Sequence, residues 1–271
     1  MRIYKYCGYG GIDILKNLRL KVTPPNAFND LFEFTPTAVG AAPVKWAEAC
    51  DIIENAAEIR KRLAAKGKPF VGSDEEFCDM IRQRVKEPIF ASTDVVAEMC
   101  RDLIDVISKT AGIICFSKRR NNLLMWSHYA NGHKGFVVGF DIPPELTPES
   151  VQYQTRRLPW NFLPESNNFA IGSEIKNLIL RKSIHWRYEK EVRVLWALKG
   201  LIQEVDDQGR TCYFTKIPAK MITEVIFGYR CDREPQLELS LRSWINQNRL
   251  NVELNRAVPS DSRFALRFRA A

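Results

Sequence analysis

Two glutamates and an arginine stand at alternate positions within residues 185–195. On an extended strand Glu189, Glu191 and Arg193 would share one face, with the two carboxylates about 7 Å apart. Burying such a face without a function costs free energy, because each ionised group loses its hydration. At an exposed sheet edge the same charges would guard against aggregation. We interpret the segment as a functional face, with the charged edge as the alternative.

Two of the three histidines, His128 and His133, lie in one short segment. On a helix, His128 and Tyr129 would lie on the same face as Met125. His133 follows, beside two glycines that would let a ligand approach the backbone closely. The spacing differs from that of a zincin helix and neither cysteine nor acid joins it, so we predict no metal. The alternative for His128 is a core histidine packed against Trp126.

A third group of polar side chains lies in the loop that ends at Glu33. Asn29 and Asp30 stand between Phe28 and Phe32, which we expect to anchor the loop to the core. A loop pinned by aromatic rings can offer amide and carboxylate groups to a ligand. The alternative is an Asx turn, in which Asn29 or Asp30 bonds the nearby backbone.

The elements that position these groups are predominantly strands. The apolar run over 111–117 predicts a buried central strand. Further strands are predicted at 3–6, 20–23, 135–141, 192–198, 211–216, 222–229, 251–254 and 264–268. Helices are predicted at 12–18, 122–130, 171–181 and 234–248.

Between about 44 and 109 the pattern becomes helical. Trp46, Cys50, Ile53 and Ala57 follow a stripe with the period of a helix. Ser73, followed by three acidic residues, predicts the start of a second helix, and a third is predicted at 93–109. We therefore predict one α+β domain over 1–271, with a mixed, mostly antiparallel central sheet, flanking helices and a helical insertion at about 44–109.

The composition is that of an ordinary globular protein. The 271 residues are 45% hydrophobic and 11% aromatic. No apolar run reaches the roughly 20 residues that span a bilayer, and the first residues lack the pattern of a signal peptide. Seven cysteines are scattered without a C-x-x-C pair, which is typical of reduced core thiols. We expect a cytoplasmic protein with no membrane partner.

The net charge of +8 is compatible with a nucleic-acid partner, because surplus basic residues can replace phosphate counterions. Basic residues cluster only at 118–120, 156–157 and 181–182, and no nucleic-acid motif is present. A nucleic-acid acceptor on this basic surface and an ordinary solvated surface both remain open. The oligomeric state is not predicted.

Together these segments resemble a family of bacterial and phage-borne proteins known mainly as a domain of unknown function. Its members share a loop proline where this chain has Leu31. The matching motifs are Tyr4-Lys5-Tyr6, Phe28 to Glu33, Cys115 to Ser117, Met125 to Phe136 and Trp186 to Arg193. The resemblance covers most of the chain outside the helical insertion and implies no particular reaction.

More distantly, the order of the motifs resembles the ADP-ribosyltransferase fold, which includes DNA-targeting toxins. This resemblance implies a NAD-consuming enzyme, with Glu191 catalytic and Glu189 or Ser117 orienting the ribose or the acceptor. A carboxylate suits this chemistry, because cleavage of the nicotinamide–ribose bond passes through an oxocarbenium-like state. The family's first-strand arginine or histidine is replaced by Lys5 or Tyr6.

The resemblance also implies a NAD site: Tyr129 or Phe32 would stack on the nicotinamide, and Lys5 or Arg193 would hold the pyrophosphate. NAD would be a substrate, and the protein a toxin or phage-defence effector acting on nucleic acid or protein. The candidate catalytic residues are Glu191, Glu189, Ser117 and His128. The candidate cofactor-binding residues are Tyr4, Lys5, Tyr6, Phe28, Asn29, Asp30, Phe32, Tyr129, His133 and Arg193.

Two other functions remain open from the sequence. One is a nucleic-acid-processing hydrolase that uses His128, His133, Asp30 and Glu191 for acid–base or metal-assisted chemistry. The other is a non-enzymatic binding or regulatory module, in which the polar groups hold the fold or a partner.

Overall fold

The fold is mixed α+β, as the sequence predicts. In the computed structural model the described residues are 2–38, 57, 60–61, 64–65, 67, 69–85, 93–160 and 175–271. The strands in these ranges are β1 (Arg2–Cys7), β2 (Arg19–Val22), β3 (Thr37–Ala38), β4 (Ala111–Ser117), β5 (Phe136–Asp141), β6 (Glu149–Ser150), β7 (Gln152–Gln154), β8 (Pro159–Trp160), β9 (Arg181–Ser183), β10 (Glu191–Ala197), β11 (Ile202–Val205), β12 (Thr211–Lys216), β13 (Ile222–Phe227), β14 (Glu253–Pro259) and β15 (Leu266–Ala270).

Eight of these strands form one sheet, which is mostly antiparallel as predicted. Its strand order is β15-β14-β13-β5-β1-β4-β10-β6, and within it only the β13–β14 pair is parallel. Smaller ladders join β11, β12 and β2, then β3 and β8, and finally β7 and β9. The predicted central strand over 111–117 is β4, paired with β1 and β10.

The helices lie close to their predicted positions. The α-helices whose bounds both lie within the described ranges are α1 (Asp13–Lys16), α2 (Asp74–Val85), α3 (Thr93–Ser108), α4 (Leu123–Tyr129) and α5 (Pro235–Gln247). The predicted start of α2 is confirmed: the Glu76 amide donates to Ser73 Oγ at 3.1 Å, and the Ser73 amide donates to Glu76 Oε2 at 2.7 Å. This reciprocal pair satisfies two amides that a helix start leaves unbonded.

Two predicted helices fall partly outside the described residues. Most of the stripe that begins at Trp46 lies outside them. The helix predicted at 171–181 is described only from 175, and it ends earlier than predicted: 175–179 is helical, but Arg181 begins β9. The local pattern is too short to separate a helix end from the start of a paired strand.

The described chain divides into two compact units. The first comprises Met1–Asp30, Val106–Thr155 and Lys182–Ala271, and the second comprises Leu31–Asp105 and Arg156–Arg181. The first unit contains the eight-stranded sheet. The second contains α2, most of α3 and the β3–β8 ladder. The single-domain organisation stays a prediction.

The first unit buries apolar side chains on both faces of the large sheet. On one face, Phe116, Val138 and Val192 belong to the same buried apolar cluster as Leu241 of α5. On the other a smaller group forms around Trp126 of α4. No helix within the described ranges is long and apolar enough to cross a membrane.

Candidate active site

Three residues that the sequence singled out lie side by side on the large sheet. Tyr4 of β1 is paired with Ser117 of β4, and Ser117 is paired with Glu191 of β10. Paired residues in an antiparallel ladder project from the same face, with Cα atoms roughly 5 Å apart. The structure therefore places Tyr4, Ser117 and Glu191 in one row, although 187 positions separate the first from the last.

Four charged side chains are buried at the β10 end of this row, and we call them the carboxylate cluster: Lys182, Glu189, Glu191 and Arg193. Lys182 Nζ donates to Glu189 Oε2 at 2.7 Å and to Glu191 Oε2 at 3.0 Å. Arg193 donates from Nε to Glu191 Oε1 at 2.8 Å and from Nη2 to Glu191 Oε2 at 3.1 Å. Because each charge has a partner of opposite sign, the group can be buried without isolated ions.

The backbone reaches this arrangement by a route that the alternation pattern did not predict. Ile184–Glu189 is a 3-10 helix, Lys190 is left-handed with φ +47°, and the strand begins only at Glu191. The prediction that Glu189 shares a strand face with Glu191 was wrong, because the turn at Lys190 breaks the alternation. Lys182 nevertheless brings the two carboxylates together. Glu191 and Arg193 do share a face of β10, as predicted.

Lys182 is the member of the cluster that sequence reasoning missed. It belongs to the basic pair at 181–182, which the sequence pattern assigns to the basic surface, yet only 9% of Lys182 is exposed. The backbone of Lys182 belongs to β9, which pairs with β7 in a two-stranded sheet. A lysine nine positions before a glutamate carries no local sign of that contact.

Burial and charge set the protonation of the cluster. Burial raises the pKa of Glu191, and the nearby Lys182 ammonium opposes that rise. Burial by itself lowers the pKa of Lys182, but Glu191 and Glu189 outweigh it, so the pKa lies well above its ordinary value. Burial lowers the pKa of Arg193 to about 9, partly offset by Asp30. Lys182 and Arg193 are therefore both cations at neutral pH.

Half-buried aromatic side chains surround the two carboxylates. Tyr129 of α4 donates its hydroxyl to Glu189 Oε1 at 2.6 Å, and the Tyr153 hydroxyl accepts from the Glu191 amide at 2.7 Å. Burial raises the pKa of Tyr153 to about 12, so that hydroxyl stays protonated. Lys182 Nζ lies 5.0 Å from the centre of the Trp186 ring. An apolar, ring-lined rim therefore adjoins the charges.

The first residues of the predicted loop lie close to Arg193 of the carboxylate cluster. The Arg193 guanidinium carbon lies 5.6 Å from the centre of the Phe28 ring, and the charge of Asp30 acts on Arg193. Asn29 is exposed. These contacts place Phe28 and Asp30 beside the carboxylate cluster.

The expectation that Phe32 anchors the loop was wrong. Phe32 is 61% exposed, and its ring centre lies 5.9 Å from the Arg157 guanidinium carbon within the second unit. Phe34, two residues later, is only 2% exposed. Its φ of +59° redirects the chain at that position, a change that residue types alone did not reveal.

Several side chains that were predicted to act in catalysis or NAD binding are engaged within the protein. The Ser117 hydroxyl donates to the Glu189 carbonyl at 2.6 Å and accepts from the Arg119 amide at 3.1 Å. Lys5 Nζ donates to the Cys115 carbonyl at 3.0 Å. The Tyr6 hydroxyl donates to the Arg119 carbonyl at 2.8 Å. Ser117 therefore positions Glu189, while half-buried Tyr4 packs against the apolar group around Trp126.

The two histidines occupy different environments. His128 is exposed, with its ring centre 6.4 Å from that of Tyr188. The alternative that His128 packs against Trp126 was wrong: it is His133 that stacks on Trp126, with ring centres 6.2 Å apart. Burial, then the charge of Arg230, lowers the pKa of His133, so its imidazole is neutral at pH 7.

A second polar group on the same face was not predicted. Glu224 is paired with Gly139, which is paired with Tyr4, so Glu224 extends the row of Tyr4, Ser117 and Glu191. Glu224 is fully buried and accepts hydrogen bonds from Arg120 and from Asn255 Nδ2. A glutamate inside the apolar run of β13 was the available signal.

Asn122 connects α4 to the segment that carries Glu189. Its Oδ1 accepts from the Met125 amide at 3.0 Å and its Nδ2 donates to the Tyr188 carbonyl at 2.8 Å. We expect Asn122→Ala to lower the free energy of unfolding by about 1 to 2 kcal/mol, because a helix cap and a carbonyl partner are both lost. Urea unfolding measures this. Asn122→Asp, which keeps the cap acceptor, should lose less, and equal midpoints for all three proteins would contradict the assignment.

Comparison with known proteins supports part of the family resemblance. Residues 125–194, about a quarter of the chain, match the family model described as "Protein of unknown function (DUF2971)". The matched range includes Tyr129 and all four members of the carboxylate cluster. The chain matches no curated protein and no solved structure. Among the described residues, no three His, Cys, Asp or Glu side chains are grouped as metal ligands would be.

Proposed function

We propose that the protein is a NAD-consuming enzyme of the ADP-ribosyltransferase type, which releases nicotinamide and passes ADP-ribose to nucleic acid, protein or water. The observation that carries the proposal is the row of Tyr4, Ser117 and Glu191 on adjacent strands, with Glu189 joined to Glu191 through Lys182. The order of polar strand, serine strand and glutamate strand is the one that the distant resemblance implies.

The chemistry requires a fixed negative charge beside a weakly hydrated surface. When the nicotinamide–ribose bond breaks, its electron pair goes to the nicotinamide nitrogen and positive charge develops on the ribose. The Glu191 carboxylate, held by Lys182 and Arg193, would stabilise that charge and accept a hydrogen bond from a ribose hydroxyl. The acceptor hydroxyl or amine would then bond to the ribose carbon and lose its proton to Glu189.

The remaining residues have supporting roles in this proposal. Ser117 holds the Glu189 backbone, and Tyr129 holds its side chain. The rings of Tyr4, Tyr129 and Trp186 are half-buried and would supply stacking surface for the nicotinamide.

The cations beside the carboxylates are Arg193 and Lys182. Lys5 instead donates its hydrogen bond to the Cys115 carbonyl. Continuous loss of NAD would poison a cell, which suits a toxin or a phage-defence effector.

The test is nicotinamide release from NAD by the purified protein. We expect Glu191→Gln to reduce release about a hundredfold or more, and Glu189→Gln to impair transfer to an acceptor while release continues. Glu191→Asp keeps the charge for Arg193 but withdraws it by one methylene, so it separates catalysis from folding. Glu234→Gln, which alters a glutamate paired with Tyr9 and Lys134, is the matched control.

The pH profile gives a second readout of the same proposal. Only the ionised carboxylate stabilises the ribose cation, so release should rise with pH as Glu191 loses its proton. Because burial raises the pKa of Glu191, the acid limb should lie above the ordinary range of glutamate. Undiminished release by both Glu191 variants, or no release by the wild type, would refute the proposal.

A further inference from the structure

A cleft of about 540 Å³ opens between the loop that joins β14 to β15 and the turn that follows β13. Its lining includes His133, Tyr229, Arg230, Arg263 and Phe264, all of which lie in the first unit. This volume is within the roughly 300–1,000 Å³ typical of small-ligand sites. We call it the Phe264 cleft, and none of the catalytic residues proposed above lines it.

The cleft presents aromatic surface to solvent. The Phe264 side chain is entirely exposed, and Tyr229 is 48% exposed. The loop that carries Phe264 is closed by its own hydrogen bonds: the Ser260 amide donates to the Ala265 carbonyl at 2.9 Å, and the Ala265 amide donates to the Arg263 carbonyl at 2.8 Å. An exposed ring on such a closed loop is a ready stacking surface for another flat ring.

The charges of the cleft favour an anion. Arg230 and Arg263 form no ion pair with any residue that the structure describes, whereas the acid of the lining, Asp261, is paired with Arg267. The effect of Arg230 on the pKa of His133 shows that its charge reaches into the cleft. His133 stays neutral there, so its imidazole can accept or donate a hydrogen bond. The lining thus combines two uncompensated cations, two exposed rings and a neutral polar group.

We propose that the Phe264 cleft binds a nucleotide unit, with the base stacked on Phe264 or Tyr229 and the phosphate held by Arg230 and Arg263. A nucleotide combines a flat base, which can stack on the exposed rings, with a phosphate, which the arginines can bind. Arginine pairs with phosphate oxygens through two parallel hydrogen bonds. The unit belongs either to a single strand of nucleic acid or to a free nucleotide. Binding does not require the proposed reaction; a role for the cleft as the acceptor site rests on the proposed function.

Fluorescence anisotropy with a labelled twelve-residue deoxythymidine oligonucleotide tests the proposal on the full chain. We expect saturable binding that weakens with salt, roughly tenfold weaker binding by Phe264→Ala, and a salt slope reduced by about one in Arg263→Ala. Both side chains are exposed, so both variants should fold. Leu239→Ala and Lys220→Ala, which alter an exposed leucine and an exposed lysine outside the cleft, should bind as the wild type does.

Two further probes separate stacking from charge and identify the source of the nucleotide. An oligonucleotide without bases keeps the phosphates, so its weaker binding should be insensitive to Phe264→Ala. Displacement of the labelled strand by deoxythymidine monophosphate would assign the site to a free nucleotide, and its failure would assign it to a strand. Absence of binding, or binding unchanged in both Phe264→Ala and Arg263→Ala, would overturn the proposal. Glu191→Gln should bind normally, which keeps this result independent of NAD turnover.

Discussion

Replacing Lys182 with methionine is expected to lower the free energy of unfolding by about 3 to 5 kcal/mol at pH 7.5. Methionine has an unbranched side chain of similar length, but the substitution removes the cation that lies 2.7 Å from Glu189 and 3.0 Å from Glu191. Glu189 then loses its only ion-pair partner in the structure as described, and Glu191 keeps Arg193 alone. Buried carboxylates without a cation are costly because water no longer solvates them.

The pH dependence gives this prediction a sign. In the variant, Lys182 no longer opposes the rise that burial causes in the pKa of Glu191, so that pKa lies further above the value in the unfolded chain. Folding then favours proton uptake, so the deficit relative to the wild type should shrink as the pH falls from 8 towards 5. In the wild type, the raised pKa of Lys182 means that its stabilisation is fully present below the unfolded value and is lost only as the pH rises through the folded value.

Guanidinium unfolding at several pH values measures both effects. Lys134→Met is the matched control, because Lys134 is 41% exposed and its ion pair with Glu234 should contribute about 1 kcal/mol at most. Lys182→Met combined with Glu189→Gln should recover part of the loss, since the unpaired charge is removed as well. If Lys182→Met lowers the free energy of unfolding by less than about 1 kcal/mol, and by the same amount at every pH, then water reaches the carboxylate cluster.

Gly135→Ala should destabilise the protein by about 3 kcal/mol, at the upper end for an overpacked site. A β-carbon at Gly135 would lie 2.1 Å from the Cys7 carbonyl oxygen and 3.0 Å from the Ala130 carbonyl. All of these are backbone atoms, so no side-chain rotation relieves the clash. Gly135 also donates to the Ala130 carbonyl at 2.8 Å and accepts from the Gly228 amide at 2.9 Å, so a shift there would break bonds on both sides.

Gly10→Ala is the matched control for this substitution. A β-carbon at Gly10 meets no atom within 4 Å, so its effect should stay within about 0.5 kcal/mol. Urea midpoints with unchanged slopes measure the difference between the two variants. If Gly135→Ala unfolds at the same midpoint as Gly10→Ala, then β1 and the turn after α4 do not approach as closely as described.

The element order of the described chain could be predicted largely from local patterns. Continuous apolar runs predicted β4 and β5, and Ser73 with the three acidic residues after it predicted the start of α2, because helix caps and strand patterns act over a few residues. The mostly antiparallel sheet was likewise predicted. Glu191 and Arg193 on one face of a strand followed from the two-residue period alone.

The composition of the carboxylate cluster could not be predicted in this way. Lys182 pairs with Glu189 and Glu191 only because the chain between them turns through a 3-10 helix and a left-handed Lys190. That same turn removed Glu189 from the strand. Residue types do not reveal a positive φ at a lysine, since the surrounding contacts impose it.

Residue types and their spacing identify most of the groups in this protein that can carry chemistry, because glutamate, arginine and tyrosine are recognisable wherever they fold. Their partners depend on the three-dimensional arrangement of the chain. Strand register placed Tyr4, Ser117 and Glu191 in one row, and packing put His133 rather than His128 against Trp126. Burial turned Lys182 from a surface charge into the link between two carboxylates. Register and burial depend on contacts between distant segments, which local periodicity does not encode.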